Sequence, residues 1–254
     1  MGLAKERSHY GPLLGREEEI EIFDCCLEAY ELLEEPYTVA FVGIPGSGKS
    51  HLLAELAVLD RAAKHRVTTV ELTEDNVKQP LSGICLLVAR ALGLQDNETS
   101  SERQRTLQTI FQDTIEESSF CLLNDVFSVK FPVTDKVSKM CSSERASAFL
   151  LTCTQMLQKV LGGKFGIFFI DNAHFVDPLS WSIMWPMLQS VVVFMAMSLA
   201  PVKDRTEIIF QAAADATTSE RITCVRLEGL KASAVVQKAC QDLGVSSIPR
   251  ELAR

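Results

Sequence analysis

Gly43-Ile44-Pro45-Gly46-Ser47-Gly48-Lys49-Ser50 fits the pattern G-x-x-x-x-G-K-[ST] of the phosphate-binding P-loop. A strand-like run, Tyr37 to Val42, precedes it, and a helical run, Ser50 to Ala63, follows it. Glycines tolerate positive φ, so the backbone can curl tightly and its amides can cradle the β- and γ-phosphate oxygens of a nucleotide. The helix dipole favours the same anion, Lys49 adds a positive charge, and the Ser50 hydroxyl can ligate Mg²⁺. The alternative is a glycine-rich turn with an exposed lysine, but strand, loop and helix stand in the order that the motif needs.

Length and charge limit the function classes. The 254 residues suit one large α/β domain, or one domain with part of another, and 47% hydrophobic residues are enough to bury a sizeable core. The net charge of −8 argues against a nucleic-acid partner, because neutralising phosphates needs clustered Lys and Arg. It does not argue against ATP, which needs only a local nest of amides and one or two cations.

The eight cysteines are scattered and form no C-x-x-C motif, so we expect reduced thiols in a cytoplasmic protein. The first ten residues carry no apolar signal region. The longest apolar run, Val191 to Ala200, falls far short of the roughly 20 residues that a membrane-spanning helix needs. We therefore expect no transmembrane segment.

Segments with the apolar spacing of strands alternate with segments that have helical spacing. The strands are expected at 37–42, 67–72, 165–170, 191–197 and 221–227. The helices are expected at 17–34, 50–63, 80–91, 103–117, 143–161, 178–190, 207–214 and 231–243, and residues 120–140 stay ambiguous. Such alternation produces βαβ crossovers, so the sequence predicts an α/β fold with a parallel sheet flanked by helices.

Asp171 is the candidate partner of the P-loop for Mg²⁺. It follows four apolar residues, Ile167 to Ile170, and ligands gather at the carboxyl ends of the strands in open α/β sheets. Ser50 and Asp171 are therefore the predicted metal ligands, and ATP and Mg²⁺ are the predicted cofactors. The alternative is an aspartate that only caps its strand.

Asn172 occupies the position where hydrolytic relatives of this architecture commonly carry a Glu that orients or deprotonates the attacking water. An amide can hydrogen-bond water but cannot accept its proton. We therefore treat Asn172 as a degenerate catalytic position and expect slow or absent hydrolysis. His174 is an alternative base, although a histidine just past a strand is more often a packed or capping residue.

Ser198 closes the expected strand at 191–197, where a polar residue can sense the γ-phosphate through a water or can simply end the strand. Other catalytic classes lack support. No G-x-S-x-G elbow accompanies the Asp, His and Ser residues, and no H-E-x-x-H or other metal-ligand cluster occurs.

Two sets of residues carry a family resemblance. Leu14-Gly15-Arg16-Glu17-Glu18-Glu19 followed by the P-loop resembles the opening of AAA+ and STAND-type NTPases. More narrowly, the chain resembles the NTPase region of the soluble adenylyl cyclase family. The supporting stretches are Cys121–Phe127, Phe131-Pro132, Phe169–Asp177 and Met197–Pro201.

The resemblance implies an AAA+/STAND-like P-loop NTPase in which Gly15 and Arg16 shape the pocket for adenine and ribose. With residues 43–50 and His51 they complete the predicted nucleotide site. It also implies a parent protein that makes cyclic AMP from ATP in the cytosol, whose cyclase domains match nothing in this chain. We expect a tail at 1–12, an NTPase domain at 13–228 with a helical insert at about 93–145, and an incomplete helical lid at 229–254. The chain would then be a fragment, a short isoform or a truncated gene product.

Three functions follow. The first is an ATP–Mg²⁺-binding regulatory module of an adenylyl-cyclase-type signalling protein, working beside other domains of a longer parent. The second is an active AAA+ ATPase acting on a macromolecule. It needs a catalytic carboxylate and an arginine finger, and the nearest arginine after Ser198 is Arg205. The third is a small-molecule P-loop kinase, which the long insert between Lys49 and Asp171 fits poorly.

Overall fold

The structure is a computed structural model that describes residues 13–62, 65–94, 97–201 and 222–247, without the side chains of residues 61 and 62. The predicted tail at 1–12, the helix expected at 207–214, Arg205, and the lid residues from 248 onward lie outside the described residues.

The described elements alternate between strands and helices, as the apolar spacing predicts. The strands are β1 (Tyr37–Val42), β2 (Arg66–Glu71), β3 (Gly166–Asp171), β4 (Phe194–Leu199) and β5 (Ile222–Arg226). The first five helices are α1 (Glu17–Leu33), α2 (Lys49–Ala62), α3 (Glu74–Lys78), α4 (Ser82–Leu92) and α5 (Ser100–Phe111). The next five are α6 (Asn124–Phe127), α7 (Asp135–Ser138), α8 (Ser142–Leu161), α9 (Pro178–Val191) and α10 (Ala232–Leu243). Two 3₁₀ segments, Glu117–Leu123 and Ala173–Phe175, complete the described set.

The five strands form one parallel sheet in the order β2-β3-β4-β1-β5. Every residue of β3 and β4 is buried, which explains why both strands read as continuous apolar runs. Strand β1 pairs with β4 on one side and β5 on the other, and Val42 lies opposite both Leu199 and Arg226. The carboxyl ends of these strands therefore share one edge of the sheet.

The chain divides into two compact units. The first comprises the described parts of Met1–Glu71, Phe168–His174 and Phe194–Arg254, and it contains the sheet except for Gly166 and Ile167 of β3. Its core is aromatic: Phe23 of α1 stacks on Phe169 with 5.8 Å between ring centroids and meets Phe194 edge-on at 5.2 Å. Fully burying such rings stabilises the fold by roughly 2–3 kcal/mol each.

The second unit comprises Leu72–Ile167 and Phe175–Val193 and is helical. Within it, α9 packs against α4 and α8, and Trp181 and Trp185 stack with ring centroids 5.5 Å apart. Asp177 begins α9 as the sequence predicts, with Pro178 in the first turn. The same buried carboxylate also accepts the backbone N–H of Leu81 at 3.1 Å, so it also holds the residue that directly precedes α4.

Several predicted boundaries move for local reasons. The helix expected to open at Pro80 begins at Ser82, because Leu81 adopts a left-handed φ of 66°. The helix expected from Arg103 begins at Ser100, where Thr99 and Glu102 form a capping box. The strand expected from Val191 begins at Phe194, because α9 continues through Val191.

A histidine joins two carboxylates at the far end of α2. His65 Nε2 lies 2.8 Å from Glu31 Oε1, and its Nδ1 lies 3.3 Å from Asp60 Oδ1. Asp60 is buried, and this burial raises the pKa of its carboxyl to about 6, against the opposing effect of the His65 hydrogen bond. The nearby Asp24 and Glu31 carboxylates raise the pKa of Asp60 further.

We predict that Asp60 makes unfolding depend on pH between about 4 and about 6. An unfolded Asp titrates near 4, so in this window the folded state binds more protons and stability falls as pH rises. The Asp60→Asn variant removes this slope, measured by urea unfolding at about pH 4 and about pH 6.5. The exposed Asp113→Asn variant is the control, and equal slopes in all three proteins would contradict the prediction.

Candidate nucleotide site

The P-loop follows β1 and leads directly into α2. Gly46 and Gly48 have φ of 82° and 88°, a region that L side chains rarely adopt, so both positions need glycine. A Cβ on Gly43 would lie 2.6 Å from Ser47 Oγ and 3.0 Å from the Leu227 carbonyl oxygen. Glycine at 43 therefore allows the loop to fold back closely on itself beside the end of β5.

Lys49 lies buried inside this loop, with 7% of its surface exposed. Its ammonium donates to the carbonyl oxygens of Gly43 at 2.8 Å and Ile44 at 2.9 Å. Burial lowers the pKa of Lys49, and the negative charge of Asp171 opposes this by raising it. The lysine of the P-loop and the aspartate of β3 are thus electrostatically coupled.

Asp171 and Ser198 form a hydrogen-bonded pair at the ends of β3 and β4. The Ser198 hydroxyl donates a short hydrogen bond to Asp171 Oδ1 and accepts the backbone N–H of Asn172 at 2.8 Å. Both side chains are buried. In this arrangement the Ser198 hydroxyl proton is directed at Asp171, which fixes the orientation of the carboxylate.

Asn172 has a φ of 56°, in the left-handed region where asparagine is several-fold enriched among non-glycine residues. Two residues on, buried His174 accepts the backbone N–H of Ala200 at Nδ1, 3.3 Å away. That bond ties the end of β3 to the end of β4, and it fits the packed or capping role better than a catalytic base.

Gly15 and Arg16 precede α1 and lie against the start of α10. A Cβ on Gly15 would lie 2.6 Å from the Ala234 Cβ, and the φ of 66° also requires glycine. Arg16 is 5% exposed and donates to the carbonyl oxygens of Ser47 and Glu228, both at 2.8 Å. The two residues therefore connect the P-loop with the segment between β5 and α10.

A cavity of about 350 Å³ lies beside the P-loop in the first unit. Leu13, Leu14 and Leu230 supply apolar walls, while His51 and Lys238 supply polar atoms. Backbone from Gly46 to Gly48 forms the side toward the loop. Size, composition and position suit a purine base next to bound phosphates.

The donor set at this edge fits a magnesium ion, which prefers carboxylate, hydroxyl and water oxygens and does not need an all-protein cage. Asp171 uses Oδ1 for both hydrogen bonds that the described residues make to it, so Oδ2 stays available. Ser50 stands in the first turn of α2. Among the described residues no cluster of three His, Cys, Asp or Glu side chains could hold a metal ion by itself.

Sequence reasoning missed four residues of this region: Leu13, Glu228, Leu230 and Lys238. The stretch Leu227 to Leu230, at the expected junction of the NTPase domain and the lid, is coil, and the Leu227 N–H continues the sheet by donating to the Val42 carbonyl oxygen. No motif marks these residues. The pairing of β5 with β1 brings Glu228, Leu230 and Lys238 to the P-loop.

No family model matches the chain. Adenylate cyclase type 10 of Oryctolagus cuniculus is 34% identical over 250 residues, which is 98% of this chain. The Homo sapiens protein of the same name is 30% identical over 241 residues. The chain is similar to one segment of adenylate cyclase type 10. It spans 15% of the length of these relatives. The resemblance inferred from the motifs is confirmed.

Solved structures of lower similarity include AMPPCP-bound DnaA from Aquifex aeolicus, with 10% identity and a TM-score of 0.44 over 97% of this chain and 57% of that one. The Aeropyrum pernix ORC2 protein has 10% identity and a TM-score of 0.49 over 93% and 54%. The parallel sheet, its flanking helices and the P-loop after β1 confirm the predicted α/β fold. No helix within the described residues is long and apolar enough to cross a bilayer.

We predict that Ser198→Ala destabilises the first unit by about 1–3 kcal/mol, because it removes a partner from a buried carboxylate and from a backbone N–H. Urea unfolding measures the difference. Ser182→Ala is the matched control, since that exposed hydroxyl only bonds the Leu179 carbonyl oxygen, and it should change stability by less than about 0.5 kcal/mol. Equal stabilities of the two variants would contradict the role given to Ser198.

Proposed function

We propose that this chain is an ATP–Mg²⁺-binding regulatory module of an adenylyl-cyclase-type signalling protein, and that it hydrolyses ATP slowly or not at all. One observation carries the proposal: the buried ammonium of Lys49, inside a glycine-built loop, lies in the field of the Asp171 carboxylate. A buried cation next to inward-facing amides is a site for a polyphosphate. A carboxylate close by can bind the Mg²⁺ that accompanies such a polyphosphate.

The residues divide by role. The loop around Gly46 and Gly48 would supply amides for the phosphates, and Lys49 would supply charge. Ser50 and Asp171 would hold Mg²⁺, which neutralises charge on the bridging phosphate oxygens when bound. The cavity beside Leu13 and His51 would take the adenine. Similarity to adenylate cyclase type 10 over nearly the whole chain supports an adenine nucleotide rather than another base.

The regulatory role is supported by what the site lacks. Asn172 offers no proton acceptor, and the Ser198 hydroxyl donates its proton to Asp171. Under this proposal ATP acts as a conformational ligand. It shifts the equilibrium between two conformations of the module by as much as its affinities for the two conformations differ. Other domains of a longer parent would receive that shift, in the cytoplasm, and the net charge of −8 disfavours nucleic acid as the partner.

The proposed boundaries are an NTPase domain at 13–228 and a lid beginning at 229. The segment from Glu228 to Leu230 supports the second boundary, because it leaves the sheet at the nucleotide cavity and α10 follows it. An active ATPase that remodels a macromolecule is the alternative, and a kinase of a small metabolite is a further outcome of the experiments below.

We predict that Lys49→Ala weakens ATP binding by about 30- to 150-fold, because a charged hydrogen bond to phosphate contributes about 2–3 kcal/mol. Titration calorimetry with Mg-ATP measures this, beside the exposed Lys130→Ala variant as control. Thermal unfolding without nucleotide establishes that both variants fold. Absence of ATP binding by the unmodified protein would overturn the proposed function.

We predict that the unmodified protein turns over ATP far more slowly than about 1 s⁻¹, the low end of ordinary enzyme rates. Placing a proton acceptor at 172 should raise the single-turnover rate. Asn172→Glu tests this directly, and Asn172→Asp tests it with a residue that also tolerates the left-handed backbone. Turnover near 1 s⁻¹ in the unmodified protein would favour the active ATPase, and phosphate transfer to a metabolite would favour the kinase.

A further inference from the structure

The Arg16 side chain makes three hydrogen bonds to three different segments of the first unit. Nη2 donates to the carbonyl oxygens of Ser47 and Glu228, each at 2.8 Å, and Nη1 donates to Glu19 Oε1 at 2.6 Å. Only 5% of the residue is exposed. The Glu19 carboxylate balances the charge of the guanidinium, which makes its burial tolerable.

The contact with Ser47 has a direct consequence for the phosphate site. In a trans peptide the C=O of one residue and the N–H of the next point to opposite sides. Because Arg16 holds the Ser47 carbonyl oxygen, the Gly48 N–H is directed to the side away from the guanidinium. Gly46 and Gly48, with φ of 82° and 88°, give this part of the loop much conformational freedom. Without a fixed partner for the Ser47 carbonyl, the peptide could rotate and turn the Gly48 amide away from the anion.

A guanidinium differs from an ammonium in the fixed directions of its donors. Its planar geometry lets one nitrogen direct two hydrogens at two carbonyl oxygens. Both hydrogens of Nη2 are used in this way, so that nitrogen has none left for a base or a ribose. The Glu228 carbonyl oxygen and the Glu19 carboxylate hold the guanidinium in place, so its hydrogen bond to the Ser47 carbonyl oxygen has a fixed direction.

We propose that Arg16 is a positioning residue that sets the orientation of the Ser47–Gly48 peptide for phosphate binding, anchored by the Glu228 carbonyl and the Glu19 carboxylate. The inference rests on the proposed nucleotide site and changes the role of Arg16 within it. The family resemblance implied a part in the pocket for adenine and ribose. Arg16 does line the cavity assigned to the adenine, but its Nη2 hydrogen bonds act on the triphosphate end, through the backbone.

The test compares ATP with inorganic tripolyphosphate, which has the phosphates but no base or ribose. Both are titrated with Mg²⁺ into the unmodified protein and into Arg16→Met, which keeps an apolar stem of similar length. We expect both ligands to weaken by a similar factor of about tenfold, since the loss lies in the phosphate cradle. If ATP weakens while tripolyphosphate does not, Arg16 acts on the nucleoside and the proposal is wrong. No change for either ligand also overturns it.

Two further variants keep the outcome interpretable. Arg145→Met removes an arginine–carbonyl bond of the same kind in the second unit, from Arg145 Nη2 to the Val137 carbonyl oxygen at 3.2 Å, and should leave both affinities unchanged. Should Arg16→Met fail to fold, Arg16→Lys retains a charge for Glu19 but cannot serve both carbonyls with one planar group. It should also weaken both ligands by a common factor, and unequal factors would overturn the proposal.

Failure of this inference and failure of the proposed function give different results. When the unmodified protein binds neither ATP nor tripolyphosphate, the nucleotide site itself is wrong and the role of Arg16 is wrong with it. When Lys49→Ala loses both ligands but Arg16→Met binds them normally, the nucleotide site stands and only the positioning role is excluded.

Discussion

The parallel pairing of β4 with β1 is the constraint on which the candidate site depends. Ser198 of β4 lies opposite Phe41 of β1 and bonds Asp171 of β3, so a single strand fixes the aspartate relative to the P-loop. The pairing extends past β1, because the Gly43 N–H donates to the Leu199 carbonyl oxygen at 3.1 Å. A one-residue shift of β4 would turn Ser198 to the opposite face of the sheet and break its hydrogen bond to Asp171.

Buried charge at this edge is satisfied by the protein itself. Lys49 donates to two loop carbonyls, and Arg16 is paired with Glu19. An unpaired buried charge would cost several kcal/mol, so these contacts stabilise the shape of the loop. They also limit affinity. A nucleotide must exchange existing carbonyl contacts of Lys49 for phosphate contacts, so the contribution of Lys49 to affinity is the difference between the two.

The sequence predicts the sheet and the motif residues because both have local signatures. Apolar runs identify β3 and β4, and the Gly and Lys spacing identifies the loop. It does not predict the bonds from Arg16 to Ser47 and Glu228, which join residues 31 and 212 positions apart through backbone carbonyls. A carbonyl oxygen is the same in every residue, so such partners leave no trace in composition or spacing. A helix begins later than its sequence predicts where the backbone conformation of the preceding residue sets the start, as the left-handed Leu81 does for α4.

Asn172 shows how chemistry and backbone geometry can meet at one position. From the sequence alone it is a site where a proton acceptor has been lost. In the structure it is also a left-handed residue whose N–H is received by Ser198, and asparagine adopts that conformation at low cost. A glutamate there would pay about 1–2 kcal/mol in backbone strain unless the chain rearranged. The turn that follows Asp171 therefore favours asparagine, the residue on which the proposal of slow hydrolysis rests.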